Sequence, residues 1–149
     1  MSEEPRRRLR KVSVALALLF MAGCGLKTSG SGIPSEVEGV IGSVTEDIAQ
    51  ERYEKVYQES SELWKHDANP EQSAEVLKTL HAKLGKVESR TIHTATEQQN
   101  SGGPLKGRVF IIAYKTRFER GDAMETFTLV EENGQWKLAR YLVNSTALK

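Results

Sequence analysis

The sequence has few of the residues that most often build disulfide, redox or metal centres. Its 149 residues include one cysteine and three histidines. A single cysteine excludes an intramolecular disulfide. His66, His81 and His93 show no spacing that is typical of a zinc site. We therefore expect no metal and no cofactor, and we assign the three histidines surface or structural positions.

Most of the chain also lacks an excess of basic residues. The formal net charge is +1, but residues 1–23 hold five basic and two acidic groups, which leaves 16 basic and 18 acidic groups in residues 24–149. Nucleic-acid binding depends on clustered Lys and Arg side chains that neutralise phosphates. We therefore expect no nucleic-acid partner for residues 24–149.

The N-terminus carries the pattern of an export signal. Basic residues at 6–11 precede an apolar segment at 12–22, which fits a signal-peptide core of about 7–15 residues and is shorter than the ~20 residues of a membrane span. The string Met21-Ala22-Gly23-Cys24 that follows resembles a bacterial lipobox. This resemblance implies that residues 1–23 are removed and that Cys24 carries lipid. An ordinary secretory signal and an uncleaved anchor helix are the alternatives.

Lipid on Cys24 would determine where the protein works. Two acyl chains hold a protein stably at a bilayer, because each buried CH₂ group contributes about 0.8 kcal/mol. Gly25 rather than Asp follows the cysteine, which in a Gram-negative host favours the outer membrane with the domain facing the periplasm. Residues 24–34 are rich in Gly and Ser, as flexible tethers are. We predict a signal peptide at 1–23, a tether at 24–34 and one domain at 35–149, located in the cell envelope.

The first half of this domain has helical patterning. Ser35 and Glu38 have the spacing of a capping box, and apolar residues recur every three or four positions between 36 and 65. One helix over that range would be about 45 Å long, so we expect Gly39 and Gly42 to weaken its first turns. Asn69, Pro70 and Gln72 predict the start of a second helix, and Gly85 predicts its end.

The second half alternates between apolar and polar residues, which predicts strands at 87–94, 108–118, 124–131 and 135–145. A loop is expected at 98–106 and a hairpin turn at Asn133-Gly134. Tyr141 and Val143 have the opposite parity to Trp136 and Leu138, so we predict a bulge near Arg140. The fold class is therefore α+β, with N-terminal helices packed on a curved four-stranded antiparallel sheet.

Several strings in this domain resemble a family of bacterial proteins known only as a domain of unknown function. They are residues 84–90 (LGKVESR), 114–118 (YKTRF), Glu125, 133–138 (NGQWKL) and Arg140-Tyr141. The resemblance covers roughly residues 45–144. This family is similar to the nuclear-transport-factor-2-like superfamily of cystatin-like rolls. That similarity implies a pocket between sheet and helix, and the superfamily includes enzymes, binding modules and dimerising adaptors.

Three residues are candidates for a site in such a pocket. Arg90 can pair with Glu125 across the sheet, or it can point into the pocket and hold an anionic ligand. Tyr114 and Tyr141 are loose analogues of the hydroxyl donors that enzymes of the superfamily use. Tyr114 is more typical of a core position. No catalytic residue is assigned, and Cys24 is the expected lipidation site.

Three functions remain open at this point. The favoured hypothesis is a membrane-tethered, non-catalytic envelope lipoprotein that binds a protein partner or a small ligand. The first alternative is a small pocket enzyme, a hydrolase or isomerase of the same fold. The second is a homodimer formed through the outer sheet face at residues 109–117, unless the loop at 98–106 shelters that face.

Overall fold

The computed structural model describes residues 32–149, so the predicted signal peptide and Cys24 lie outside the described residues. Helices come first along this part of the chain, and strands follow. The helices are α1 (Ser35–Ala49), α2 (Tyr53–Glu59), α3 (Glu62–Asp67) and α4 (Pro70–Leu84), and the strands are β1 (Val87–Asn100), β2 (Gly107–Phe118), β3 (Gly121–Glu132) and β4 (Gln135–Asn144), with a 3₁₀ turn at Thr146–Leu148. This is the predicted α+β class.

The continuous helix considered for 36–65 is wrong, because the chain breaks twice within it. The first break follows α1, where Glu51 adopts a positive φ of 58°. Buried Asp47 holds this turn through ion pairs of 2.5 Å to Arg52 Nη2 and 2.7 Å to Lys55 Nζ. The second break separates α2 from α3, where the backbone N–H of Ser61 donates to the carbonyl of Leu138 instead of continuing a helix.

The start of α1 also differs from the prediction. Pro34 occupies the N-cap position, and no side chain caps this helix. The Ser35 hydroxyl donates to the Glu36 carboxylate at 3.2 Å, so the predicted capping box with Glu38 does not form. Gly39 and Gly42 lie inside the helix, which is regular from Ser35 onward, so the first turns that these glycines were expected to weaken are formed. Burial of Val37, Ile41 and Val44 against the sheet offsets the low helix propensity of the two glycines.

Helix α4 begins and ends as predicted. Asn69 Oδ1 accepts from the backbone N–H of Gln72 at 2.8 Å, and Gln72 Oε1 accepts from the backbone N–H of Asn69 at 3.1 Å. This reciprocal pair is a capping box with Pro70 at the first helical position. Gly85 ends the helix with a φ of 77°. Leu77 and Leu84 are buried on the face that α4 turns toward the domain interior.

The four strands pair in chain order as an antiparallel meander. Strand β1 is longer than predicted, because it stays paired with β2 up to the Asn100–Gly107 pair. The predicted loop at 98–106 therefore shrinks to 101–106. Asn133 and Gly134 have φ values of 53° and 76°, which confirms the predicted hairpin turn.

The predicted bulge in β4 is present. Leu138 pairs with Leu129 and Arg140 pairs with Thr128, so Ala139 is an extra residue without a partner on β3. This insertion reverses the parity of the rest of β4. Tyr141 therefore faces the same side of the sheet as Leu138.

The two faces of the sheet are buried to different extents. The inner face and the helices share the main core, whose buried residues include Val37, Ile41, Val44, Val56, Leu77, Phe110, Ile112, Phe127, Leu129 and Leu138. On the outer face, Val109, Val130 and Ala139 are buried beneath Leu63 and Leu105. The loop shelters this end of the outer face, as one of the two sequence-based interpretations held. Dimerisation through the rest of the face stays a prediction.

None of the helices in residues 32–149 combines the length and the apolar character that crossing a bilayer requires.

Candidate ligand-binding pocket

A cavity of about 340 Å³ lies between α1, α4 and the inner face of the sheet. Its volume is at the lower end of the range of ligand pockets. The larger side chains of its apolar lining are Ile48, Leu77, Leu80, Leu84, Val87 and Phe118. The polar side chains are Thr45, Glu46, His81, Lys86, Arg90 and Tyr141. The cavity is thus an apolar space with a small set of polar groups on its wall.

The junction between α4 and β1 forms one end of this cavity. Gly85 turns the chain with a positive φ, which is unfavourable for residues with a Cβ atom. A Cβ atom at this position would also lie 2.9 Å from Glu119 Cβ. The Glu119 carboxylate accepts from the backbone N–H of Lys86 at 2.8 Å. This turn brings Lys86 and Arg90 to the cavity wall directly after the helix.

Glu125 is the centre of a hydrogen-bond network beside the cavity. Arg90 binds its carboxylate with two parallel hydrogen bonds, from Nε to Oε2 at 2.6 Å and from Nη2 to Oε1 at 2.9 Å. The Thr116 hydroxyl donates to Oε2, and the Tyr141 hydroxyl donates to Oε1 at 2.5 Å. The donors come from β1, β2 and β4 and converge on one fully buried carboxylate on β3.

The network occupies all the hydrogen-bond acceptor positions of the Glu125 carboxylate. A carboxylate offers about four lone-pair positions, and four donor groups fill them here. A buried charge with fewer partners would be costly to desolvate. Glu125 therefore has no free acceptor position directed at the cavity, and its contribution there is to hold Arg90 in place.

Arg90 is oriented by this pair and still has unused donors. Its side chain is 20% exposed and lies on the cavity wall. The guanidinium packs over the Phe127 ring, with Cζ 5.7 Å from the ring centroid. Nε and Nη2 bind Glu125, and Nη1 has no hydrogen-bond acceptor among residues 32–149. The structure therefore shows the Arg90–Glu125 ion pair, which was one of the two interpretations of Arg90 from the sequence. One edge of the guanidinium stays open.

Tyr141 reaches the cavity because of the bulge at Ala139. Its ring packs on Phe127 with 4.8 Å between the centroids. Burial, followed by the charge and the hydrogen-bond acceptance of Glu125, raises the Tyr141 pKa well above its ordinary value of 10.0. The hydroxyl therefore stays protonated near neutral pH and acts as a donor.

Tyr114 takes a different position. It packs edge-on against Phe127 with 5.9 Å between the centroids, and it is not among the residues that line the cavity. Burial raises its pKa above 10.0, with smaller and opposing effects from the charges of Arg90, Glu38 and Glu125. The structure brings Arg90 and Tyr141 together at the cavity and leaves Tyr114 in the core.

Sequence reasoning missed a second polar pair at the cavity. The Tyr53 hydroxyl lies 3.1 Å from His81 Nδ1 and joins α2 to α4. Their separation of 28 residues is no local pattern, so only the packing of the helices reveals the pair.

Glu125 was considered only as a possible partner of Arg90. The available signal was its position: an acidic residue among core-facing positions of β3, between Ala123 and Phe127.

The histidines lie apart within the described residues. His66 and His93 are exposed, and only His81 lines the cavity. Between residues 32 and 149, no three His, Cys, Asp or Glu side chains come together in a group that could hold a metal ion.

Comparison with known proteins places the chain in a family but not in a functional class. No curated protein matches it. A solved structure of a candidate scytalone dehydratase from Novosphingobium aromaticivorans is 12% identical, with a TM-score of 0.44 over 74% of this chain and 82% of that one. Residues 43–141 match the family model described as a protein of unknown function, DUF4019. Since this match spans more than half of the sequence, the chain belongs to the DUF4019 family.

Proposed function

We propose that this protein is a lipid-anchored, non-catalytic envelope lipoprotein whose domain binds a small ligand in the cavity beside Arg90. The observation that carries this proposal is a fixed guanidinium on the wall of a mostly apolar cavity of about 340 Å³. Apolar pockets with a few convergent polar groups are the usual form of small-ligand sites. The export signal and Cys24 support the envelope location.

Binding fits the site better than catalysis does. A general base needs a free lone pair within reach of the substrate, and all four acceptor positions of Glu125 are filled. Tyr141 is protonated, and its hydroxyl is already engaged in a hydrogen bond to Glu125. The two groups therefore hold Arg90 and each other in place.

Filling the cavity tests ligand binding. We expect native mass spectrometry of the membrane-extracted full chain to show a bound small molecule. Leu80→Trp places a larger side chain on the cavity wall and should remove that molecule. Thr79→Trp is the matched control, since Thr79 is an exposed neighbour on α4 that does not line the cavity. Equal ligand occupancy in the wild type and in Leu80→Trp, with both folded by circular dichroism, would contradict the proposal.

The anchor is tested independently of the pocket. The protein extracted from membranes should begin at Cys24 and carry the mass of thioether-linked diacylglycerol plus any N-acyl chain. Cys24→Ser should abolish both the added mass and the cleavage. A native product that still begins at Met1, or that carries an unmodified thiol, would refute the lipoprotein assignment and leave the pocket proposal intact.

One observation favours a pocket enzyme as the second candidate. Tyr141 lies on the cavity wall within hydrogen-bond distance of a carboxylate, which is the arrangement expected for a tyrosine acid. In that case the bound molecule should be converted to product by the wild type, and Tyr141→Phe should bind it without turnover. Unchanged ligand after prolonged incubation would remove this candidate.

A further inference from the structure

We infer that the ligand is an apolar molecule with one carboxylate, and that this carboxylate binds the open edge of the Arg90 guanidinium. The inference rests on the proposed ligand-binding function and names the chemical class of the ligand. It follows from the number and kind of donors and acceptors that face the cavity.

Arg90 provides the main donors. A guanidinium carries five N–H groups in a planar fork, and two of them are committed to Glu125. Both N–H groups of Nη1 lack an acceptor within the described part of the chain. The two bonds to Glu125 and the contact with the Phe127 ring prevent the fork from turning away. The open edge is therefore held in place before any ligand arrives, which favours tight binding.

Among the other polar groups of the wall, Lys86 adds further donors. Lys86 lies on the wall, and its ammonium has no ion pair among residues 32–149. The ring of His81 lies there as well, and its Nδ1 is 3.1 Å from the Tyr53 hydroxyl. Glu46 is the acidic residue on the wall; it is exposed on α1, and Gln50 Nε2 donates to its Oε1 at 2.9 Å. The Tyr141 hydroxyl donates its hydrogen bond to Glu125, so the cationic wall groups with N–H donors left over are Arg90 and Lys86, and an acidic group on the ligand would satisfy them.

A carboxylate matches this arrangement better than a neutral acceptor or a phosphate does. Hydrogen bonds between a guanidinium and an anion are about twice as strong as neutral ones. A phosphate dianion would bring a second charge into a mostly apolar cavity, where desolvation is costly. The apolar lining formed by residues such as Leu77, Leu80 and Phe118 accommodates a short hydrocarbon or aromatic body.

The test compares two probes of nearly equal shape on the full chain in nanodiscs of neutral lipid. Isothermal titration with 4-phenylbutyrate and with 4-phenylbutanol, each corrected for empty nanodiscs, isolates the effect of the carboxylate. We expect 4-phenylbutyrate to bind about tenfold more tightly, as one charge-assisted hydrogen-bonded contact would provide.

Two variants assign this preference to the guanidinium edge. Arg90→Gln combined with Glu125→Gln removes both charges, so that no carboxylate is left buried alone, and the tenfold preference should disappear while 4-phenylbutanol still binds. Lys86→Met should reduce the preference by a smaller factor. Lys78→Met, an exposed lysine on α4 away from the cavity, should leave it unchanged.

The outcomes separate this inference from the proposed function. Equal affinity for both probes would overturn the carboxylate assignment and retain an apolar ligand site. A preference that survives in the Arg90→Gln/Glu125→Gln variant would overturn the assignment to Arg90. Binding of neither probe would also overturn it, and the Leu80→Trp mass spectrometry would then decide the proposed function separately.

Discussion

The Tyr141 hydroxyl donates to Glu125 over 2.5 Å across the inner face of the sheet, and a single inserted residue makes this contact possible. Ala139 has no partner on β3, so the alternation of β4 reverses after it. In a regular strand Tyr141 would face the outer side, and Arg140 would point into the core. The bulge thus supplies one of the four donor groups that hold Glu125.

Removing the Tyr141 hydroxyl should destabilise the domain. Tyr141→Phe keeps the ring contact with Phe127 but leaves one acceptor position of buried Glu125 empty. We expect a loss of about 1–3 kcal/mol in the free energy of unfolding, measured by urea denaturation. Tyr57→Phe is the control, since the Tyr57 hydroxyl has no hydrogen bond within residues 32–149; it should cost much less. Equal losses in the two variants would contradict the role of the hydroxyl.

The contributions of Arg90 and Glu125 to stability should depend on each other. Arg90→Gln leaves a buried carboxylate without its cation and should cost about 3–5 kcal/mol. The double variant Arg90→Gln/Glu125→Gln has no uncompensated charge, so we expect it to be more stable than Arg90→Gln alone. Urea unfolding of Arg90→Gln, Glu125→Gln and the double variant checks this order. A double variant that loses the sum of the two single losses would show that the residues are energetically independent.

Asp47 should make part of the domain's stability sensitive to acid. Burial alone would raise its pKa, but hydrogen bonds and charges from Lys55 and Arg52 outweigh burial and lower the pKa below 3.8. A lowered pKa means that ionised Asp47 stabilises the folded state above about pH 3.8 and that this contribution is lost as the pH falls through the folded-state pKa. The stability difference between wild type and Asp47→Asn should therefore be largest near neutral pH and should shrink below pH 3.8.

The control for this pH series is Asp67→Asn. Asp67 is exposed, and within residues 32–149 its carboxylate pairs only with exposed His66, so the stability difference between this variant and the wild type should be small throughout the acidic range. If the wild type and Asp47→Asn differed by a constant amount from pH 7 to pH 2, the proposed titration of Asp47 would be refuted.

Replacing Gly39 and Gly85 by alanine should change the stability of the domain in opposite directions. Gly39 is an exposed position within α1, and an added Cβ would meet no atom within 4 Å. Gly39→Ala should therefore stabilise the domain by about 0.5–1 kcal/mol. Gly85→Ala combines an unfavourable positive φ with a close approach to Glu119, and it should cost more than about 1 kcal/mol. Thermal unfolding of both variants measures the contrast, and stabilisation by Gly85→Ala would be inconsistent with the turn described here.

The elements defined by local chemistry were predictable from the sequence. Asn69, Pro70 and Gln72 interact within one helical turn, so the start of α4 needed no tertiary information. The Asn133-Gly134 turn is local in the same sense. The bulge was also visible in advance, because Tyr141 would otherwise have the wrong parity for the core. The predicted helix of 36–65 failed for two reasons. Its second break depends on a distant partner, since Ser61 donates to the carbonyl of Leu138. Its first break is held by Asp47, Arg52 and Lys55, which are close in sequence but lie within one continuous pattern of helical spacing.

The sequence by itself determined the order of helices before strands and the alternation that gives β2 to β4 their inner faces, and it predicts an export signal with lipid on Cys24. These features depend on composition and on interactions between near neighbours. Only the tertiary structure decided that Arg90, Thr116, Glu125 and Tyr141 meet at one carboxylate beside an apolar cavity. They lie on four strands, and the register of each strand, together with one unpaired alanine, determines which side chains come within hydrogen-bond distance.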